Sequence, residues 1–349
     1  MAVNRVNELR ERRTLGDEEL LELLESEDES VAEELYRNAR EVTASVFGPR
    51  IWLRALIEWS NVCRNDCLYC GIRRSNPHIS RYSLSREDIL RCCEEAYSLG
   101  LRTFVLQGGE NPPAALALAD TVAEIRAAWP DCAITLSLGE LPRKTYALLR
   151  RNGADRYLLR HETASAAHYA LLHPLGMRLE SRLACLRTLR RLGYQTGMGM
   201  MVGSPFQTSK ALIADLRLIE SFQPEMIGIG PFIPQRDTPF HDYPAGDAGL
   251  TLRLLAILRL MHPQALIPST TALSTLHPGG RMAGILAGAN VIMPDFTPRA
   301  QREAYALYEG KTAAWTETAD NLKDLCQELS AHGYTVASSR GNYNEPIHL

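Results

Sequence analysis

Nowhere does this 349-residue sequence run both uncharged and predominantly apolar for the roughly 18 residues that a membrane-spanning helix needs, so a helical membrane protein is not expected. The opening stretch "MAVNRVNELRERRTLGDEEL" is charged and has no apolar centre, so no secretory signal is expected and the predicted location is cytoplasmic. Basic residues are not in excess either: 38 Lys and Arg against 41 Asp and Glu leave a net charge of -3, and a small molecule is a better expected partner than a nucleic acid. No repeat of about 20 to 50 residues and no low-complexity linker divides the chain, which favours one catalytic domain. Disulfides are not expected among the eight cysteines in a reducing compartment. Cys92, Cys93, Cys132, Cys185 and Cys326 lie scattered in apolar text and read as packing residues.

What is present is a regular beat. Residues 15 to 47 carry apolar positions at helical spacing, with Asp17 and Ser30 as candidate caps, and read as a helical cover. From residue 51 onward, short β-branched or apolar runs recur at 51–60, 102–107, 133–138, 155–160, 194–203, 226–231, 265–271 and 290–294, with amphipathic helical text between them. Eight strands alternating with helices predict an α/β fold, a (β/α)8 TIM-type barrel, over an open doubly wound sheet. The expected units are an N-terminal helical cover (1–48), the barrel (49–312) and a C-terminal helical extension packed on it (313–349). Chemistry-bearing residues collect where the strand runs end: the cysteine loop, "GGEN", "GE", "HET", "GSP", "PF", Thr270-Thr271 and "PDFTP".

The first of these ends, "CRNDCLYCGIRRSN", holds Cys63, Cys67 and Cys70 and no fourth cysteine beside them. A disulfide would strand one thiol, and a structural zinc site ordinarily takes four Cys or His ligands. Three thiolates suit a [4Fe-4S] cubane whose fourth iron stays open to an outside ligand, and S-adenosylmethionine can fill it through its amino and carboxylate groups. The spacing Cys63-x3-Cys67-x2-Cys70, with the aromatic Tyr69 before the last cysteine, resembles the radical S-adenosylmethionine superfamily. That resemblance implies reductive cleavage of the cofactor to a 5'-deoxyadenosyl radical. It also implies cofactor contacts from Tyr69, Gln107, Gly108, Gly109, Glu110, Ser137, Arg160, Glu162, Arg182 and Met201. Among these, the Glu110 carboxylate would meet the methionine ammonium, Glu162 a ribose or amino group, and Arg182 the carboxylate.

The likeness reaches further. "NDCLYCGIRRSN", "RYSLSREDIL", "LQGGENP", "TLSLGELP", "GADRYLLRHETA", "IGIGPFIPQRDTP", "IPSTTALSTLHPGGR", "GANVIMPDFTP" and "YALYEGK" together resemble the HydE family of [FeFe]-hydrogenase maturases over roughly residues 50 to 312. This implies a role in assembling the hydrogenase active site (the H-cluster), on a small precursor containing iron and cysteine, inside a cavity down the barrel. Cavity positions implied by the resemblance are Thr135, Ser137, Arg156, Met226, Ile229, Thr270, Thr271, Tyr305 and Tyr308. A ferredoxin- or flavodoxin-type reductant and other hydrogenase maturases are the implied partners. The C-terminal region has only Cys326, so one cluster is expected and no second, C-terminal one. Asn111, His173, Phe206, Gln235, Leu273 and Ser274 depart from the family text, which bears on the substrate. Two alternatives stay open: an amino-acid mutase similar to methylornithine synthase, and a non-catalytic iron–sulfur scaffold or redox sensor. Biotin-synthase-like sulfur insertion fits poorly, because only Cys132 lies near a place for a sacrificial second cluster.

Overall fold

The computed structural model describes residues 2–311 and 321–344. Three helices open the chain: α1 (Ala2–Arg12), α2 (Asp17–Glu25) and α3 (Glu29–Phe47). Their apolar faces, including Val6, Leu9, Leu20, Leu23, Val31 and Leu35, are fully buried, and each such side chain removed from water contributes roughly 1.5–3 kcal/mol. The caps lie just before the residues expected. Gly16 precedes α2, its N–H bonded to Glu19, and Asp28 rather than Ser30 caps α3 by accepting the Ser30 N–H at 2.9 Å. Asp17 sits inside the first turn instead, where its carboxylate takes the Arg217 guanidinium at 2.7 Å.

The first barrel stave is one run broken at Arg54 into β1 (Arg50–Leu53) and β2 (Ala55–Ser60). Then come β3 (Thr103–Gly108), β4 (Ala133–Ser137), β5 (Arg156–Leu158), β6 (Gln195–Met198), β7 (Met201–Val202), β8 (Met226–Ile227), β9 (Gly230–Pro231), β10 (Val291–Ile292) and β11 (Thr335–Val336). Strands β2-β3-β4-β5-β6-β8 are parallel neighbours in that order. The fifth and sixth staves each break once, at Gly199 and Gly228, and resume as the pair β7-β9. A Cβ on Gly199 would stand 1.9 Å from the Gly228 carbonyl oxygen, so glycine is required at this approach. Bridges Met226↔Leu266 and Pro268↔Val291 seat residues 265–268 between β8 and β10, and β10 pairs with β1. Eight staves therefore close as the (β/α)8 barrel the sequence predicted.

Two departures bear on function. The seventh stave is held by single bridges, and Thr270 and Thr271 begin the helix Thr271–Leu276 instead of extending it. At the opposite end the chain returns: β11 pairs in parallel with the start of β1, through Arg50↔Thr335 and Ile51↔Val336. The residues after it run beneath the barrel, where Trp52 donates to Ser339 Oγ at 3.0 Å. The expected C-terminal unit thus contains a helix, Leu322–Ala331, and a strand-like tail that closes the barrel floor; residues 313–320 and 345–349 of it lie outside the described residues.

Candidate active site

The cysteine loop leaves β2 and returns antiparallel to it, with a bridge between Ser60 and Ser83. Cys63, Cys67 and Cys70 are all free thiols in partly buried positions. Burial pushes the Cys70 thiol up to about 12 and the other two upward as well; the charges of Cys70 and Cys63 raise Cys67 further, and that of Cys63 raises Cys70. Without metal such thiols stay protonated, and a metal centre that binds them would take their protons' place. Among the described residues no three His, Cys, Asp or Glu side chains converge as one metal ion requires. Three free thiols on one short loop are a donor set that fits a [4Fe-4S] cubane, which offers a separate iron to each.

Around the thiols, ion pairs join one strand-end loop to the next. Cys63 Sγ accepts the Glu110 N–H at 3.3 Å. The adjacent glycines let the backbone reach the loop: a Cβ on Gly109 would lie 2.5 Å from Val62 O, and one on Gly108 2.4 Å from Trp59 Nε1. The Glu110 carboxylate is already engaged. One oxygen takes Arg64 Nε at 2.8 Å and the other the Glu140 N–H at 2.7 Å. This changes the expected role of Glu110, since its charge is spent on bracing neighbouring loops and main chain is what the segment turns toward the thiols. Asn111, an acid in the family pattern, caps the helix Pro112–Ala128 by accepting the Ala114 N–H, as an aspartate would.

The Gly-Glu at the end of β4 supplies a residue to which the sequence reading gave no role. Glu140 takes Arg182 Nε at 2.8 Å and Ser181 Oγ at 2.7 Å, while Arg182 Nη1 donates to Arg160 O at 2.9 Å. Arg182 is buried, and its cation reaches Cys67, opposing the rise of that thiol. Glu162 has φ 67°, a strained backbone for a non-glycine residue, and faces Cys67 and Cys70 electrostatically. Several bonds hold that conformation: its N–H and that of His161 reach Gly199 O, and its carbonyl takes the Met201 N–H. Asp215, fully buried, accepts from His161 Nε2 at 3.0 Å and from the Ala164 N–H at 2.5 Å. Arg160 pairs with the Glu162 carboxylate at 3.0 Å.

Tyr69 donates its hydroxyl to His173 Nε2 at 3.2 Å, and His173 Nδ1–H donates to Tyr169 O at 2.9 Å. Burial holds His173 neutral, with its pKa lowered to about 4. Met201 packs with Leu172, Phe232 and Phe240. Phe206 is half-exposed beside Phe240 and Tyr243. Gln235, whose side chain is tied to Asp237, lines a recess of about 600 Å³ on the outer side of the cysteine loop with Asn76, His78 and Arg236. Leu273 and Ser274 lie in the short helix Thr271–Leu276.

Inside the barrel the expected cavity positions separate. Thr135 is buried, with its hydroxyl lacking a partner among the described residues, and Met226 is buried beside Arg54. Arg54 was not singled out from the sequence. It is buried at the break between β1 and β2, its Nη1 touches Met226 Sδ at 3.4 Å, and its Nε and Nη2 have no partner among the described residues. Arg156 is not directed to an open chamber as expected. It is fully buried at the floor, donating to Thr103 Oγ1, Gln195 Oε1, Arg340 O, Gly341 O and Asn342 Oδ1, because the returning tail covers it. Ser137 and Gln107 are side by side in register at the rim. Ile229 is buried, and Tyr305 is buried beneath Lys311, whose ammonium forms a 2.8 Å pair with the buried Glu58. Tyr308 is partly buried nearby in sequence, and Thr270 and Thr271 begin their helix.

The family model "Radical SAM superfamily" matches residues 57–219. The "[FeFe] hydrogenase maturase subunit HydE" of Thermotoga maritima is 45% identical over 304 residues, covering 86% of each chain. A 3-methylornithine synthase of Methanosarcina acetivorans is 30% identical over 328 residues, 93% of this chain and 91% of its own. Among solved structures, methylornithine synthase (PylB) superimposes with a TM-score of 0.82 at 25% identity over 95% of this chain and 97% of its own.

Proposed function

The chain belongs to the radical SAM superfamily and, within it, to the family of the hydrogenase maturase HydE, and on that footing we propose that it takes part in building the active site of an [FeFe]-hydrogenase, acting on a small iron- and cysteine-containing precursor. The carrying observation is the 45% identity to the Thermotoga maturase over 86% of both chains, with the three-thiol loop inside the matched family region. As a radical SAM enzyme it uses a [4Fe-4S] cluster and S-adenosylmethionine, with a small-molecule substrate and a reductant. The cluster, when bound, supplies the electron for reductive cleavage of the cofactor.

In this reading Cys63, Cys67 and Cys70 hold one cluster and leave its fourth iron to the cofactor; no second cluster is held in the C-terminal region. Main chain of Gln107 to Glu110, Ser137 beside Gln107, and the carboxylate of Glu162 receive the cofactor's polar groups. Arg182, oriented by Glu140, places a positive charge for its carboxylate, and Tyr69, Arg160 and Met201 border it. Within the barrel Thr135, Arg54 and Met226 face the substrate, Arg156 forms the floor, and Ile229, Thr270, Thr271, Tyr305 and Tyr308 complete the walls. The buried Arg54 guanidinium, two of whose nitrogens lack a partner among the described residues, favours a substrate carrying negative charge, which agrees with an anionic iron complex. The catalytic unit is residues 49–312, covered by 1–48 and closed below by the C-terminal extension. The reductant is a ferredoxin or flavodoxin in the cytoplasm; no described helix is long and apolar enough to cross a membrane.

A second reading, an amino-acid mutase, is favoured by the 0.82 superposition on methylornithine synthase. The test is anaerobic reconstitution with iron and sulfide, then dithionite and S-adenosylmethionine. 5'-Deoxyadenosine is expected, along with restored hydrogenase activity when the protein is supplied to a maturation system lacking its own HydE. Formation of 3-methylornithine from an amino acid without such rescue would move the assignment to the mutase, and absence of any cofactor cleavage would leave only a cluster scaffold.

A further inference from the structure

One side chain of the cysteine loop has neither a carboxylate partner nor a role in the sites above. Arg81 lies eleven residues past Cys70, where the loop rejoins the barrel, and it is half-buried. Its Nη1 donates to Asn61 O at 2.7 Å and to Ile72 O at 2.8 Å, and its Nη2 donates to Arg73 O and to Arg74 O. Asn61 closes β2 just before Cys63, and residues 72–74 immediately follow Cys70. A single guanidinium therefore ties the entry of the three-thiol segment to its exit. The Asn61 side chain reinforces the closure through Ser80 O, Ala304 O and the Tyr82 N–H.

All of these acceptors are neutral, and no salt bridge of Arg81 is found among the described residues. Its charge is therefore not cancelled locally, and it is felt at both Cys63 and Cys70, where it opposes the upward push of burial. The planar fork of arginine suits such a multi-carbonyl grip, whereas a lysine ammonium would supply the charge without the fork.

We propose that Arg81 is the positioning residue of the cluster loop: it presets the three thiols before metal arrives, and its uncancelled charge favours the more negative, reduced state of a cluster held there. This rests on the assignment of Cys63, Cys67 and Cys70 as the cluster ligands.

The test compares the full-length wild type with Arg81→Lys and Arg81→Gln. In the cluster-free proteins, tryptic cleavage after Arg73 and Arg74, followed by mass spectrometry, should be at least fivefold faster in both variants. Circular dichroism should show the barrel still folded. After anaerobic reconstitution both variants should retain less iron, but their midpoint potentials should separate in a titration followed by electron paramagnetic resonance. Arg81→Lys should stay at the wild-type potential. Arg81→Gln should be about tenfold harder to reduce, a negative shift of about 59 mV for a one-electron couple. Equal trypsin resistance in all three proteins would overturn the positioning role, and an unshifted potential in Arg81→Gln would overturn the charge effect. If the wild type itself binds no cluster, the ligand assignment fails and the charge effect with it, while the trypsin comparison still decides the grip.

Discussion

The two ends of the barrel hold their buried arginines in opposite ways. At the rim, Arg182 meets a carboxylate: Glu140 takes its Nε at 2.8 Å, and Arg64 and Glu110 repeat the arrangement one loop away. At the floor, Arg156 is gripped by a fan of oxygens from Thr103, Gln195 and the returning tail. The rim is thus close to charge-balanced before any ligand arrives, and its pairs run between successive strand-end loops, fixing those loops relative to one another. The floor instead holds its arginine through many hydrogen bonds, those from the returning tail included. Burial and the nearby Arg156 push the Arg54 guanidinium toward neutrality. One end ties loop to loop through ion pairs, and the interior keeps in Arg54 a guanidinium with two nitrogens unpartnered among the described residues.

The largest effect that tests this division is at the thiols. Replacing Cys63, Cys67 and Cys70 together with alanine should remove the bound iron and all cofactor cleavage, with the melting temperature little changed, because the loop lies outside the apolar core. Iron analysis, product chromatography and thermal unfolding check it. A triple variant that still cleaves S-adenosylmethionine would move the metal site elsewhere.

Next in size is a matched pair of substitutions, one at each end. Glu140→Ala leaves Arg182 buried without its carboxylate and should cost about 3–5 kcal/mol, with a tenfold or greater loss of S-adenosylmethionine affinity. Arg156→Leu leaves the floor carbonyls and the Thr103 and Gln195 side chains short of a donor and should cost about 1–3 kcal/mol. Cofactor affinity and uncoupled cleavage should nonetheless remain within threefold of wild type. Urea denaturation and equilibrium binding measure both. Equal loss of cofactor affinity in the two variants would mean that the floor and rim act as one site.

This asymmetry explains what could be read from the chain alone. The barrel was legible because strand and helix periodicities are local, and the cysteine loop because its spacing is. Arg54 was not, since an arginine inside a ten-residue apolar run looks like a surface position on a strand, and only barrel closure shows that both its faces are covered. Glu140 stands 42 residues from Arg182 and Asp215 stands 54 from His161, so no spacing rule connects them. The tie on Glu110 was equally hidden: a carboxylate in a glycine-rich turn invites a ligand, and no spacing shows that Arg64, 46 residues earlier, also holds it. The tail under the barrel left no local sign, because β11 is only two residues long and its acceptors are backbone carbonyls, which every residue carries.

The smallest expected effect uses two histidines, one near each end. His173 lies under Tyr69 at the rim, and His262 closes the helix Ala248–Met261 on the floor side, flanked by Glu220 and Arg259. Burial lowers both to about 4 from an ordinary value near 6.5. As pH falls through 6.5, each becomes protonated in the unfolded chain but not in the folded one, so the unfolded state gains protons and stability is lost on acidification. By pH 5 the loss should be about 2 kcal/mol per histidine, appearing as a lower urea midpoint than at pH 7. His262→Asn should restore about 2 kcal/mol, half of the combined loss of the two histidines, and leave cofactor binding untouched. His173→Asn should restore a similar amount but weaken S-adenosylmethionine binding, because Tyr69 loses the acceptor that aims its ring. If both variants behave alike in the binding assay, the rim histidine is only a packing residue, and the contrast between the ends reduces to the arginines.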